Sequence, residues 1–233
     1  MSTVDRPRKE TIPPLVEGQR LDRATFHERY DAMPPAARFE LIGGVVVMPS
    51  PVGRGHGDFV GNLALWLGTY RLGIKALTGG CDATVMLDDH SEVQPDLHLR
   101  IRPEYGGQIR HEGKYIAGAP ELVVEVAHSS KSIDLGDKRE DYRRGGVLEY
   151  LVVTLEPEQI HWFVRRGDRL EPLPRGADGR YRSEIFPGLW LDPDSLFADD
   201  LDGLIATLDR GLATPEHAVF VAEWAARVPN SGT

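Results

Sequence analysis

A chain of 233 residues, 41% of them hydrophobic, has the length of one full domain with an appendage and enough apolar material for a real core. Its formal charge of -9 argues against a broad non-specific nucleic-acid clamp, which is usually basic throughout, though not against a local basic groove. The single cysteine, Cys81, excludes an intrachain disulfide framework and a cysteine-rich zinc site, and no apolar run approaches the roughly 18 residues of a membrane span.

Residues 1–20 are polar, charged and proline-punctuated, which predicts a flexible N-terminal arm. The arm lacks the apolar stretch of a secretory signal, so a cytoplasmic protein is expected. Asp22 is placed to cap a short helix carrying Phe26 and Tyr30, stopped by Pro34 and Pro35. Strand-like segments at 38–42 and 45–48 flank Gly43 and Gly44, the pattern of a hairpin. From His56 to Tyr70, apolar residues recur near one face of a helix. Strands follow at 83–87 and 96–101, then a glycine-containing surface loop at 103–114.

The run at 121–127 (ELVVEVA) is dense in β-branched residues and reads as a central strand covered on both faces. Asp134 suits a helix N-cap, with Gly145 and Gly146 ending that helix. Another buried strand spans 149–154, and 159–166, 169–173 and 181–191 suggest an antiparallel extension. Leu201, Leu204, Ile205, Leu208 and Leu212 fall at helical spacing, and a last helix is expected over 215–228. The expected architecture is α/β: a central mixed β-sheet flanked by helices over 21–199, including a β-rich extension. C-terminal helices at 200–228 and a disordered tail at 229–233 complete it.

Within this frame a set of separated charged residues stands out. Pro95 and Asp96 open one strand, Glu125 interrupts the apolar run of a second, and Lys138 lies on the helix that follows. Proline suits a first strand position, where no ladder donor is needed, so Asp96 sits at a strand end that a cleft can reach. A buried, unpaired carboxylate at Glu125 is costly, so it needs a metal, a cation or several donors. A structural salt bridge answers that need as well as a metal does. Two residues further on, the small side chain of Ala127 leaves room on the same face for a group reaching in, and Lys138 is the candidate. An i,i+4 ion pair with Asp134, or plain solvation, is the ordinary alternative for Lys138. Lys131, in the preceding loop, competes with it, and Tyr142 shares its helix face. Two carboxylates on neighbouring strands suit a hard divalent cation, and a nearby ammonium orients a water or stabilises charge on a phosphate.

The segments FELIGGVVVMPSP, VQPDL, GAPELVVEV and DKREDYRRGGVLEYLVV, in this order and spacing, resemble the Uma-two family of putative restriction endonucleases. That family lies within the PD-(D/E)XK nuclease superfamily, and the resemblance runs over roughly 21–191. It implies a restriction-endonuclease-like core in which Asp96 and Glu125 are the metal-binding carboxylates. Lys138 stands in for the motif lysine, moved from the strand to the following helix. Glu40 matches a family glutamate expected at the same cleft, and His56 a histidine near the start of the next helix. The chain departs from the family pattern at Gly43 and Val45 and at His128–Ser129. With 186–193 (FPGLWLDP) it resembles a subgroup carrying these changes.

The expected function is Mg²⁺-dependent hydrolysis of DNA phosphodiester bonds, with Mn²⁺ substituting, by Asp96, Glu125, Lys138 and Glu40, with His56 and Tyr142 as auxiliary residues. The alternative is a catalytically inactive nuclease-fold module that binds nucleic acid or a protein partner. No membrane association is expected, and a homodimer is compatible with cutting both strands. Arginines crowd the Lys138 helix (Arg139, Arg143, Arg144) and the Asp96 strand and the loop after it (Arg100, Arg102, Arg110), where they either meet phosphate or offset nearby carboxylates. The stretch GRGHG at 53–57 lacks the remainder of a P-loop or dinucleotide motif and reads as a turn into a helix. No HExxH or GxSxG motif occurs.

Overall fold

The computed structural model describes residues 12–51 and 53–227. Its elements in chain order are α1 (Arg23–Asp31), β1 (Glu40–Ile42), β2 (Val45–Val47), α2 (Arg54–Tyr70), β3 (Leu77–Cys81), β4 (Val85–Asp88), β5 (Ser91–Val93) and β6 (Leu97–Ile101). Then come β7 (Arg110–Glu112), β8 (Tyr115–Ala117), β9 (Leu122–Ala127), α3 (Lys131–Leu135), α4 (Asp137–Gly145), β10 (Glu149–Leu155), β11 (Glu158–Arg166) and β12 (Arg169–Pro172). The chain continues through β13 (Tyr181–Arg182), β14 (Trp190–Leu191), α5 (Pro193–Phe197), α6 (Leu201–Leu212) and α7 (Pro215–Ala226). No helix among the described residues is long and apolar enough to cross a membrane.

The mixed sheet flanked by helices is present, in the order β12-β11-β10-β9-β6-β3. Its centre, β9 and β10, is a parallel pair buried along nearly its whole length. That burial on both faces explains the unbroken β-branched runs. On one face Leu97, Leu99, Leu122 and Val124 pack with Leu63, Trp66 and Leu67 of α2 and Leu204 and Leu208 of α6. On the other, Val123, Ala127, Tyr150 and Val152 pack with Tyr142 of α4 and with Ile42, Val85 and Val93.

Those last three residues belong to a second six-stranded sheet, β2-β1-β5-β4-β8-β7. The hairpin expected around Gly43 and Gly44 forms, both glycines having positive φ, but it belongs to this second sheet. Strands β11 and β12 continue the central sheet, while β13 and β14 form a separate two-stranded sheet. The loop expected at 103–114 contains β7, an exposed edge strand with a polar sequence. The helix expected from an Asp134 cap is broken at Gly136, which caps α4, so Asp134 lies inside α3 and is buried. A Cβ at Gly136 would lie 2.6 Å from the Ser132 carbonyl, so the break requires glycine. Asp22 does cap α1, accepting from the Thr25 amide at 2.8 Å.

Of the arm expected over 1–20, residues 1–11 lie outside the described residues. Further along, Leu15 is buried and the Gly18 amide donates to the Val46 carbonyl at 2.8 Å, fastening this segment to β2. The tail expected at 229–233 also lies outside the described residues.

Glu149 ties the β13 region to the central sheet. It is fully buried and accepts from Trp162 Nε1 (3.2 Å), Ser183 Oγ (2.8 Å) and the amides of Glu184 (2.7 Å) and Ile185 (3.1 Å). Burial nevertheless pushes its carboxyl up to about 7. A folded-state value above the unfolded one of about 4.3 means that its contribution to stability is full below that pH and is lost as pH rises through 7. Urea unfolding of Glu149→Gln should therefore show a smaller loss of stability than the wild type between about pH 5 and 8. Parallel curves would show that this carboxyl is already ionised at the acid end.

Candidate active site

β6 and β9 run antiparallel with Leu97 opposite Val124 and His98 opposite Val123, so one further step of the register sets Asp96 against Glu125. Asp96 is fixed by the Val126 amide, which donates to its Oδ2 at 2.7 Å, and by His56 Nε2, 3.1 Å from the same oxygen. His56 occupies the first turn of α2. Glu125 is buried, and its Oε1 accepts from Lys138 Nζ at 3.0 Å and from the Tyr142 hydroxyl at 2.7 Å. Lys138 and Tyr142 stand four residues apart on α4, one turn of the helix, and so approach the same oxygen together.

The second sheet contributes Glu40 from β1. Its Oε1 lies 3.1 Å from Lys138 Nζ and also accepts from the Gln94 amide at 2.7 Å. Asp134 completes the group, 3.8 Å from the same ammonium. The i,i+4 pair with Asp134 and the contact with Glu125 were alternatives for Lys138 in the sequence, and both are present. Asp96, Glu125, Lys138, Glu40 and His56 all line one cavity of about 630 Å³. Tyr142 lies behind it as a buried support for Glu125, and Lys131 does not line it.

Three acidic residues of the cleft escape sequence reasoning, the first being Glu17, in the segment expected as a flexible arm. Asp134 reads as a surface cap because an aspartate at the start of a helical pattern ordinarily is one. Asp82 sits in a left-handed conformation (φ 50) directly after β3, in a stretch to which the sequence assigns no element before the strand at 83–87. Glu17, Glu40, Asp82, Asp96, Glu125 and Asp134 line the cavity, against the cations Arg38 and Lys138.

The electrostatics follow from this imbalance. Burial raises the Glu125 carboxyl well above the usual range, opposed by Lys138 and reinforced by Asp96, Asp134 and Glu40. Burial, with nearby carboxylates, raises Asp134 against the pull of Lys138 and Asp82 against that of Arg38. Burial works against the Lys138 charge, but Glu125, Glu40 and Asp134 outweigh it and hold the ammonium protonated. The bond to Asp96 raises the His56 imidazole.

These donors fit a hard divalent cation. Glu125 Oε2 is engaged only by a long 3.4 Å contact from the Asp96 amide, and the protein bonds of Asp96 among the described residues are made through Oδ2. One oxygen of each carboxylate therefore remains for the cleft. Among the described residues no three His, Cys, Asp or Glu side chains form a ready-made metal cage. One or two carboxylates supplemented by water and substrate phosphate is the habit of Mg²⁺ and does not suit a closed zinc site.

The family described as Uma2, putative restriction endonuclease, matches residues 24–194. No match occurs among the curated proteins. Among solved structures the chain is similar to a crystal structure described as a putative nuclease belonging to DUF820 from Anabaena variabilis ATCC 29413. The identity is 16% and the TM-score 0.48, covering 73% of this chain and 96% of that one.

Lys138 is the single buried cation facing three buried carboxylates here. Removing one member of such a group leaves uncompensated buried charge, at a cost of about 3–5 kcal/mol. Lys138→Met should be destabilised by roughly that amount at about pH 8 and by less at about pH 5, because the raised carboxyls of Glu125 and Asp134 take up protons more readily as pH falls. Equal destabilisation at both pH values in urea melts would contradict this account of the charge balance.

Proposed function

The chain belongs to the Uma2 family of putative restriction endonucleases, and from that premise we propose that it hydrolyses DNA phosphodiester bonds with a divalent cation, Mg²⁺ or in its place Mn²⁺. The observation that carries this reading is the convergence of Asp96 and Glu125 across neighbouring strands, with Lys138 bonded to Glu125, in one acidic cleft. Asp96 and Glu125 would hold the ion through their cleft-facing oxygens. When bound, such an ion polarises the phosphate and makes an attacking water more acidic.

The remaining roles belong to the protein's own groups. Three carboxylates keep Lys138 charged, so it acts as a hydrogen-bond donor and not as a base. It orients the attacking water and offsets charge that builds on the phosphate in the transition state. Tyr142 fixes the Glu125 carboxylate so that its second oxygen faces the cleft. Glu40 holds Lys138 from the opposite sheet, and His56 fixes the Asp96 rotamer through Oδ2. The excess of carboxylates around the site repels a polyanion until a cation is present, which makes metal and nucleic acid binding mutually supportive.

Calorimetric titration with Mn²⁺ tests the assignment without requiring the right DNA. Wild-type protein should bind the ion, and Asp96→Ala and Glu125→Ala, shown to be folded, should each lose that binding. Affinity should rise with pH across the weakly acidic range, because the raised Glu125 carboxyl must lose its proton before it can ligate. Binding retained in both variants would place the ion elsewhere and sink the assignment. Mg²⁺-dependent nicking of plasmid DNA, lost in the same variants, is the companion measurement.

A further inference from the structure

The arginines that look available in the sequence are unequal in the structure. Arg143 pairs with Glu140 at 2.7 Å and Asp168 at 2.6 Å, and Arg144 with Asp141 at 2.6 Å and Asp88 at 3.4 Å. Arg139 lies over the Phe163 ring, 5.0 Å from its centroid, and Arg110 pairs with Glu112 at 3.7 Å. The α4 arginines are therefore largely engaged. Among the cations without a carboxylate at ion-pair distance in the described residues, Arg71 directly after α2, Lys75 before β3, and Arg100 and Arg102 at the end of β6 stand together, Arg100 Nη1 meeting only the His98 ring.

The fold gathers these four at one place. Thr78 pairs with Arg100 and Leu77 with Ile101 across β3 and β6, the Arg102 amide donates to the Ala76 carbonyl at 2.8 Å, and Arg102 Nε donates to the Lys75 carbonyl at 3.0 Å. Burial, then repulsion from Arg102 and Arg71, lowers the Arg100 guanidinium against the pull of Glu121. Glu121 attracts Arg100 without forming an ion pair, its oxygens accepting from the amides of Ile101 (2.8 Å) and Gln108 (3.0 Å). Arg100 Nε is buried with no partner. Four cations against one nearby carboxylate, packed close enough for self-repulsion, carry a surplus of positive charge that an anion would neutralise, in a protein whose net charge is -9.

Its position relative to the cleft gives that anion a shape. β3 is the terminal strand of the central sheet and runs from the basic cluster to the cleft: Lys75 precedes it and Asp82, which lines the cavity, follows it. Gly79 and Gly80 put no side chain over this edge, and Cys81 at its cleft end is exposed. At about 3.3 Å per residue the five residues of β3 span about 16 Å, the rise of about five base pairs along a duplex. We propose that Arg71, Lys75, Arg100 and Arg102 form a phosphate-binding surface that grips the nucleic-acid substrate about 16 Å from the cleft, its backbone following the β3 edge between the two. Guanidinium forks suit phosphate oxygens, and the separation keeps this positive charge away from the acidic metal site.

The inference rests on the nuclease reading for the identity of the polyanion, so both are measured together. Fluorescence anisotropy of a labelled duplex of about 24 base pairs, titrated in EDTA over a range of salt, reads the surface without catalysis. Arg71→Ala/Lys75→Ala/Arg102→Ala should bind at least about tenfold more weakly than wild type, with a salt slope shallower by about three, one per lost phosphate contact. Arg71→Lys/Arg102→Lys, which keeps the charges, should retain binding and exclude misfolding as the cause. Unchanged affinity and slope in the triple alanine variant would overturn the surface, while metal-dependent nicking by the wild type would still uphold the nuclease reading. A wild type that neither binds nor cuts DNA would overturn both. Loss of binding to anionic vesicles in the triple variant, with DNA binding unaffected, would reassign the surface to lipid headgroups and overturn the proposal.

Discussion

One buried ammonium holds the two sheets of this protein together. Lys138 Nζ lies about 3 Å from Glu125 on the central sheet and from Glu40 on the second sheet, residues 85 positions apart in sequence, and still attracts Asp134 from α3. None of these groups tolerates burial alone. An aliphatic side chain in place of the lysine would leave three carboxylates desolvated, while loss of the carboxylates would leave a stranded cation. Because burying such a group costs about as much as its attraction returns, its value lies in geometry: it permits only one docking of α4 between the sheets. Asp141, on the same helix, supports that docking by accepting from the Gly43 amide and the Ser91 hydroxyl, both at 2.7 Å.

The parts of this arrangement that were legible in the sequence are those in which local pattern and burial agree. A glutamate inside LVVEVA announces an unusual requirement whatever its partner, and the period of two along β6 and β9 puts Asp96 and Glu125 on one face. The small Ala127 beside Glu125 signals space, and the fold fills that space from α4. The second sheet was much less visible. Its strands β5, β7 and β8 are three residues each, too short to show a period, and β7 is polar and exposed. β3, with the sequence LTGGC, shows no strand pattern because its glycines suit close packing and not strand propensity: a Cβ on Gly79 would lie 2.6 Å from the His98 carbonyl. Asp134 was misread for a related reason, since whether an aspartate caps a helix or is buried inside one depends on a glycine break and on tertiary contacts that no local window contains.

Charge is distributed as unevenly as the elements. The cleft is strongly acidic, most α4 arginines are consumed by nearby carboxylates, and four cations without an ion pair stand together at the far end of β3 and β6. Net charge therefore says little about whether this molecule meets a polyanion, because screening over about 8–10 Å leaves the two ends of a strand about 16 Å long only weakly coupled. An acidic total of -9 is compatible with a local basic surface, provided the acidic groups near it are already bonded elsewhere, as Glu121 is.

The division of labour within the two central carboxylates follows the same logic at atomic scale. Glu125 gives Oε1 to Lys138 and Tyr142, and Asp96 gives Oδ2 to His56 and the Val126 amide, so one oxygen of each is spent on the protein. A carboxylate with both oxygens bonded in this way would be a purely structural group, and one with neither would rotate freely and ligate poorly. Rigidity on one side and availability on the other is what ligand orientation requires. It also explains why a tyrosine suits position 142: its hydroxyl is held far above its ordinary pKa by burial and by Glu125, so it remains a proton donor to Oε1 and does not add a further negative charge to an already acidic site.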